Sequence, residues 1–253
     1  MCLIVVAWQV HPDYPLVLAA NRDEFYRRPA APAHWWPARP ELLAGQDLEA
    51  GGTWLGITRH GAFAALTNFR DPGQQKTEAP SRGQLVPQIL DRHTSAAARL
   101  ARLQAEAGHY NGFNLLWAEE GELKVYESVP ARTRLLGPGI YGLSNHQLDT
   151  PWPKLQQAKS RLELALSALP EEQALMALLR DPAPAADELL PHTGVSLAWE
   201  RLLSSAFIRS PDYGTRCSTL LTLSRAGAVR FREQTWDAQG QAAGDVQHSF
   251  KVS

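Results

Sequence analysis

The sequence predicts an α+β fold, and two observations carry that reading. Strand-like runs come as consecutive hairpins punctuated by Gly, Pro, Asn and Asp, and helix-like stretches come in separate pairs between them. The strict alternation of strand and helix that marks a parallel sheet is absent. A chain of 253 residues with no linker-like stretch reads as one domain, 1–253. Two antiparallel sheets covered by helices fit this order, and so does a single helix-covered sheet.

Residues 3–8 and 16–20 are apolar runs separated by the turn formers His11-Pro12-Asp13-Tyr14-Pro15, which predicts an antiparallel hairpin. Residues equidistant from its turn face each other, so Cys2 is expected opposite Arg22 or Asp23, roughly 5 Å away if they share a face. Asn21-Arg22-Asp23-Glu24 then reads as a polar strand end. The Pro-rich stretch 29–40, with Trp35 and Trp36, reads as an ordered loop. Gly51-Gly52-Thr53-Trp54 leads into a hairpin through His60-Gly61 to Asn68, its glycines suited to close backbone approach. Ser81 is placed to cap a helix carrying Leu85, Val86, Ile89 and Leu90, and residues 95–107 predict a second helix. Strands are expected at 112–119, 122–128 and 140–145. Asp149-Thr150-Pro151 signals a helix start, with Thr150 as cap, and Leu155, Ala158, Leu162, Ala165 and Leu169 form its apolar stripe. A helix around 171–180 is ended by Asp181-Pro182-Ala183-Pro184, and the stretch to His192 reads as irregular. Strands at 207–209, 216–224, 229–236 and 246–252 complete the chain.

The balance of 25 basic and 26 acidic residues leaves no basic block for phosphates or anionic lipid, which argues against nucleic acid and membrane surfaces as partners. No run reaches the ~18 apolar residues of a membrane-spanning helix. The apolar N-terminal run lacks a basic region and is followed at once by Gln9, His11 and Asp13, unlike an export signal. Two cysteines, Cys2 and Cys217, make no disulfide framework and suit a reducing compartment, so a cytoplasmic protein with a small-molecule ligand or substrate is expected. The eight histidines are dispersed without ligand spacing, so no metal site is predicted, and no CxxCH motif holds haem covalently.

Cys2 is the strongest chemical candidate because of its position. Removal of Met1 would make it the N-terminus, setting an α-amino group of pKa near ~8 beside a thiol of pKa about 8.5. The amine then serves as general base and the thiol as nucleophile. The competing reading is a small buried residue that opens a strand. Asn68, Asn145 and Arg216 stand at the ends of apolar strands, where an amide can donate to an oxyanion and a guanidinium can orient a carbonyl. Cys217, in mid-strand, reads as structural.

These motifs together resemble the NRDE family, which includes the transport-and-Golgi-organisation proteins. The resemblance is carried in order by Met1-Cys2, Asn21-Arg22-Asp23-Glu24, Gly51-Gly52-Thr53-Trp54-Leu55-Gly56, Leu66-Thr67-Asn68-Phe69-Arg70, Ser81-Arg82-Gly83, Tyr110-Asn111-Gly112-Phe113-Asn114-Leu115, Gly142-Leu143-Ser144-Asn145 and Tyr213-Gly214-Thr215-Arg216. It implies a four-layer αββα sandwich of two antiparallel sheets, the N-terminal-nucleophile hydrolase fold, in a motif order similar to cysteine amidases of bile-salt and penicillin amides. Carried over, the resemblance makes Cys2 the nucleophile, Asp23 the partner of its amine, Asn68 and Asn145 oxyanion groups and Arg216 a support. Asn21, Arg22, Glu24 and Trp54 fall in the substrate-binding region. Those amidases carry an Arg shortly before the Asp, where this chain has Ala20 and places Arg22 within the motif. The implied activity is hydrolysis of a small amide or acyl compound. The alternative is a non-catalytic binding or trafficking protein for reversibly bound haem, acyl-CoA or lipid, with the NRDE edge and Trp35-Trp36 as its pocket rim.

Overall fold

A computed structural model describes residues 2–253. The chain runs β1 (Cys2–Trp8), β2 (Leu16–Phe25), β3 (Ala30–Trp36), β4 (Arg39–Asp47), β5 (Leu55–Thr58), β6 (Phe63–Asn68), α1 (Leu85–Ile89), α2 (Ala96–Glu106), β7 (Phe113–Glu119), β8 (Glu122–Glu127), β9 (Arg132–Leu136) and β10 (Gly139–Leu143). It continues with α3 (Pro153–Leu166), α4 (Gln173–Leu179), α5 (Leu197–Leu203), β11 (Tyr213–Leu223), β12 (Ala228–Trp236) and β13 (Ala242–Lys251). One sheet has the order β10-β1-β2-β11-β12-β13 and the other β3-β4-β5-β6-β7-β8-β9, and every pairing is antiparallel.

The two-residue period of the strands sorts the core into three apolar layers. Ile4, Val6, Leu18 and Leu221 of the first sheet meet Leu43, Ile57, Phe63 and Leu116 of the second in the central layer. Leu3, Val5, Val17 and Ala19, alternate residues of the same strands, face outward onto Leu155, Ala158, Leu162 of α3 and Leu175, Leu178 of α4. Ala64, Leu66, Leu115 and Trp117 face outward onto α1 and α2 through Leu85, Val86, Ile89 and Leu103. The result is the αββα sandwich, with the helical stripe of α3 used as core packing.

Asn21-Arg22-Asp23-Glu24 does stand near the end of a strand, β2, where all four residues pair with β11 and Asn21 and Arg22 pair with β1 as well. Several local expectations are corrected. The Pro-rich stretch is not a loop: it forms edge strand β3 and the start of β4, because Pro32 lies on an edge where its missing N–H costs no ladder bond. Helix α3 begins two residues later than expected, with Pro153 rather than Pro151 in its first turn and Trp152 at the cap; the Thr150 hydroxyl donates to the Gln147 carbonyl instead. Residues 207–209 bend and make a single bridge, Arg209 to Gly214, rather than a strand. Strand β9 and helix α5 were absent from the sequence reading. Among the described residues no helix is long and apolar enough to cross a membrane.

Gly142, in β10, lies hard against α3: a Cβ there would lie 2.7 Å from Leu155 Cγ. Gly142→Ala is expected to destabilise the chain by about 1–3 kcal/mol, the usual cost of overpacking. Urea unfolding of the two proteins measures it as a lower midpoint at unchanged slope.

Candidate active site

The β1–β2 register sets Cys2 directly across from Arg22. Directly opposed residues share a face, so both look into the layer between the sheets. On the far side of β2, Arg22 is opposite Cys217 while Asp23 is opposite Thr215, with Arg216 as the extra residue of a β-bulge. Without that bulge, Thr215 and Cys217 would point the same way. With it, Cys217 joins Cys2 and Arg22 on the inner face, and Thr215 turns to Asp23, donating its hydroxyl to Oδ1 at 2.7 Å.

This end of the inter-sheet layer opens into a cavity of about 870 Å³. Cys2, Arg22, Asp23, Glu24, Trp54, Asn68 and Arg216 all contribute to its walls. Seven of the nine residues singled out in the sequence are therefore brought together. Asn21 is a correction: read as substrate-binding, it is fully buried on the outer face, where its amide donates to the carbonyls of Leu179 and Ala206 at 2.7 and 2.8 Å and accepts from Ser218. The two-residue strand period sets the Asn21 side chain on the face opposite that of Arg22. Asn145 stands behind the wall rather than in it, fully buried, its amide donating to the Asn68 carbonyl at 3.0 Å. Trp35 and Trp36 do not rim the cavity. Trp36 donates to the Ala44 carbonyl, and Trp35 packs edge-on against Phe250 beneath the Arg59 guanidinium.

Burial sets the electrostatics. The Cys2 thiol is pushed above the usual thiol range by desolvation, and the Asp23 charge raises it further, while Arg22 and the Asp23 backbone N–H pull it down. Burial also raises Asp23, against the Lys154 charge and the Thr215 hydrogen bond. Lys154, buried on α3 with its ammonium donating to the Leu203 carbonyl at 2.7 Å, is lowered by desolvation to about 8. The Tyr213 hydroxyl donates to the Asp23 carbonyl at 3.1 Å. Cys217 is pushed well above the thiol range by burial and by Glu233. Arg216 caps the strand end, donating to the carbonyls of Phe25 and Arg28 at 2.9 Å each.

Sequence reading gave no role to Arg82, Thr215 or Glu233. The first two lie inside quoted motifs, Ser81-Arg82-Gly83 and Tyr213-Gly214-Thr215-Arg216, so the signal was the motif itself. Glu233 had only its place on an otherwise apolar strand face.

The fold is shared with a solved Caenorhabditis elegans structure, "N-acylethanolamine-hydrolyzing acid amidase (NAAA) ortholog", at TM-score 0.51 and 12% identity, covering 87% of this chain and 92% of that one. The chain belongs to the Transport and Golgi organisation 2 family, whose pattern matches residues 1–238. It is 39% identical over 260 residues to the "Transport and Golgi organization protein 2 homolog" of Bos taurus, and 36% identical over 260 residues to that of Homo sapiens, with 93% of each chain covered in both cases.

The causes acting on Cys2 fix the direction of two substitutions. In Asp23→Asn the midpoint of the pH dependence of Cys2 alkylation is expected to fall, and in Arg22→Gln to rise, as followed by iodoacetamide labelling and peptide mass. A midpoint that stays put in both variants would contradict the described electrostatics.

Proposed function

We propose that the chain is an N-terminal-nucleophile-type cysteine amidohydrolase acting on a small amide or related acyl compound. The observation that carries this reading is the placement of Cys2, on the first described strand, in the wall of a cavity of about 870 Å³ together with Asp23 and Asn68. Burial holds the thiol protonated, so it needs a base. The α-amino group of Cys2 supplies one once Met1, which lies outside the described residues, is removed.

In this reading the amine takes the thiol proton and Sγ attacks the carbonyl carbon. The tetrahedral intermediate collapses with cleavage of the C–N bond, and the proton passes to the departing amine. Water then hydrolyses the Cys2 thioester to the acid, with the same amine as base. Asp23, fixed by Thr215, holds the ammonium formed along the way. Asn68 offers its amide to the oxyanion. Asn145 braces the Asn68 backbone, and Arg216 fixes the strand end from which Asp23 projects. Arg22, Glu24 and Trp54 shape the substrate pocket. The shared fold with an amidase supports hydrolysis of an amide over other acyl chemistry.

The alternative, carriage of haem, acyl-CoA or lipid, has less support. Among the described residues the cavity walls present haem with no imidazole, thioether or phenol, and burial disfavours both thiolates as ligands, so these residues do not fit a haem site. The aromatic rim that this alternative relied on is packed elsewhere.

Intact mass is expected to show the chain beginning at Cys2, and Cys2→Ala to lower amide turnover by about 10³-fold or more, the loss typical of a covalent nucleophile. Full turnover in a processed Cys2→Ala protein would sink the mechanism.

A further inference from the structure

The cavity walls carry four guanidinium groups, those of Arg22, Arg28, Arg82 and Arg216, and five carboxyl groups, those of Asp23, Glu24, Asp47, Glu49 and Glu233, and these are unevenly engaged with one another. Arg28 is engaged by Asp47 at 2.7 Å and by Glu49 at 3.2 Å. Glu24 accepts the Phe25 backbone N–H at 2.9 Å and stands 3.8 Å from Arg22. Burial pushes Glu233 toward its neutral acid, with the Ala33 N–H bound to Oε1 at 2.8 Å. Asp23 belongs to Thr215 and the nucleophile. Among the described residues Arg82 forms no ion pair, and its guanidinium donates to a backbone carbonyl, that of Gly112, at 3.0 Å. Desolvation lowers its pKa, against an opposing pull from Cys2 and Glu24.

Arg82 is also held in place. A Cβ on Gly52 would fall 2.4 Å from the Gly83 carbonyl carbon, so these two backbones touch only because residue 52 is glycine. The Thr53 N–H donates to the Gly83 carbonyl at 3.0 Å, and the Ser81 hydroxyl accepts from the Gly83 N–H at 3.3 Å. Gln84 reaches over to the Ala50 carbonyl at 3.0 Å. The segment that carries Arg82 is thereby clamped against the end of the second sheet, and the guanidinium is presented to the cavity at little further entropic cost. A half-buried, preorganised guanidinium without an ion pair, lining the same cavity as the Cys2 thiol, is a receptor for an oxyanion, since carboxylate and phosphate match its fork of donors.

We propose that Arg82 receives an anionic group of the ligand, a carboxylate or a phosphate, in the cavity beside Cys2. The inference rests on the cavity being a ligand site and does not require that turnover occur. It assigns a substrate class: small acyl compounds that carry a negative charge.

The test compares iodoacetate with its neutral isostere iodoacetamide as alkylating agents of Cys2 in the full chain, by peptide mass, in wild type, Arg82→Gln and Arg82→Lys. Taking the ratio of the two rates cancels general accessibility and thiol reactivity. The iodoacetate-to-iodoacetamide ratio is expected to fall about tenfold in Arg82→Gln, in keeping with a focused charge in a cleft, and to stay within about twofold of wild type in Arg82→Lys. Protection of Cys2 from iodoacetamide by inorganic phosphate or by acetate, at matched ionic strength, identifies which anion is preferred. An equal ratio in all three proteins overturns the proposal. So does an equal fall in both variants, which would mark Arg82 as merely structural, and so does a Cys2 that neither reagent reaches in the folded chain. Because alkylation needs no acyl turnover, a positive ratio with an inactive enzyme would defeat the hydrolase reading alone.

Discussion

The site depends on one constraint, the opposite facing of consecutive residues along β2. Arg22 and Asp23 are neighbours in the chain, yet one belongs to the inner layer with Cys2 and the other to the buried polar cluster under α3. A strand cannot serve both sides of a cysteine unless its partners follow the same switch. The bulge at Arg216 provides that switch on β11, and Ser144 provides an anchor on the β10 side, its hydroxyl donating to the Cys2 carbonyl at 3.0 Å. A one-residue slip in any of these pairings would bury Arg22 among the helices and expose Asn21.

Polar residues around this end of the sandwich divide into those that hold the frame and those that meet the cavity. Asn21, Asn114 and Asn145 spend their amides on backbone carbonyls of neighbouring segments, closing connections that would otherwise leave buried acceptors unpaired. Behind them, Arg70 and Glu200 form a buried pair at 3.0 Å with Trp152 beneath the guanidinium, next to Lys154. Removal of one partner from such a pair costs far more than the pair contributes, because a charge is left stranded. The frame is thus polar and brittle where the rest of the interior is apolar and forgiving.

Much of this was legible in the sequence. The first hairpin was readable because two apolar runs flank unmistakable turn residues, and simple counting placed Cys2 opposite Arg22 or Asp23, of which the register selects Arg22. The facing of each residue was less so: the four polar residues 21–24 look alike in a list, and only pairing on both sides of β2 shows that they alternate. The Pro-rich stretch misled because proline is read as a breaker, whereas an edge strand tolerates it. Strand β9 and helix α5 are short, and their apolar positions are too few to establish a period. Arg82 was quoted as part of a motif but given no chemistry, since its significance comes from the absence of a carboxylate partner, which no local spacing encodes.

The bond from Glu233 to Ala33 has a mechanical side. Two sheets packed through branched aliphatic side chains resist separation but have little to stop them sliding over one another. A carboxyl group reaching from β12 to a backbone N–H of β3, in space kept open by Gly45, acts as a locating pin between the layers. It stands at the cavity wall, so the alignment it fixes is that of the two halves of the mouth.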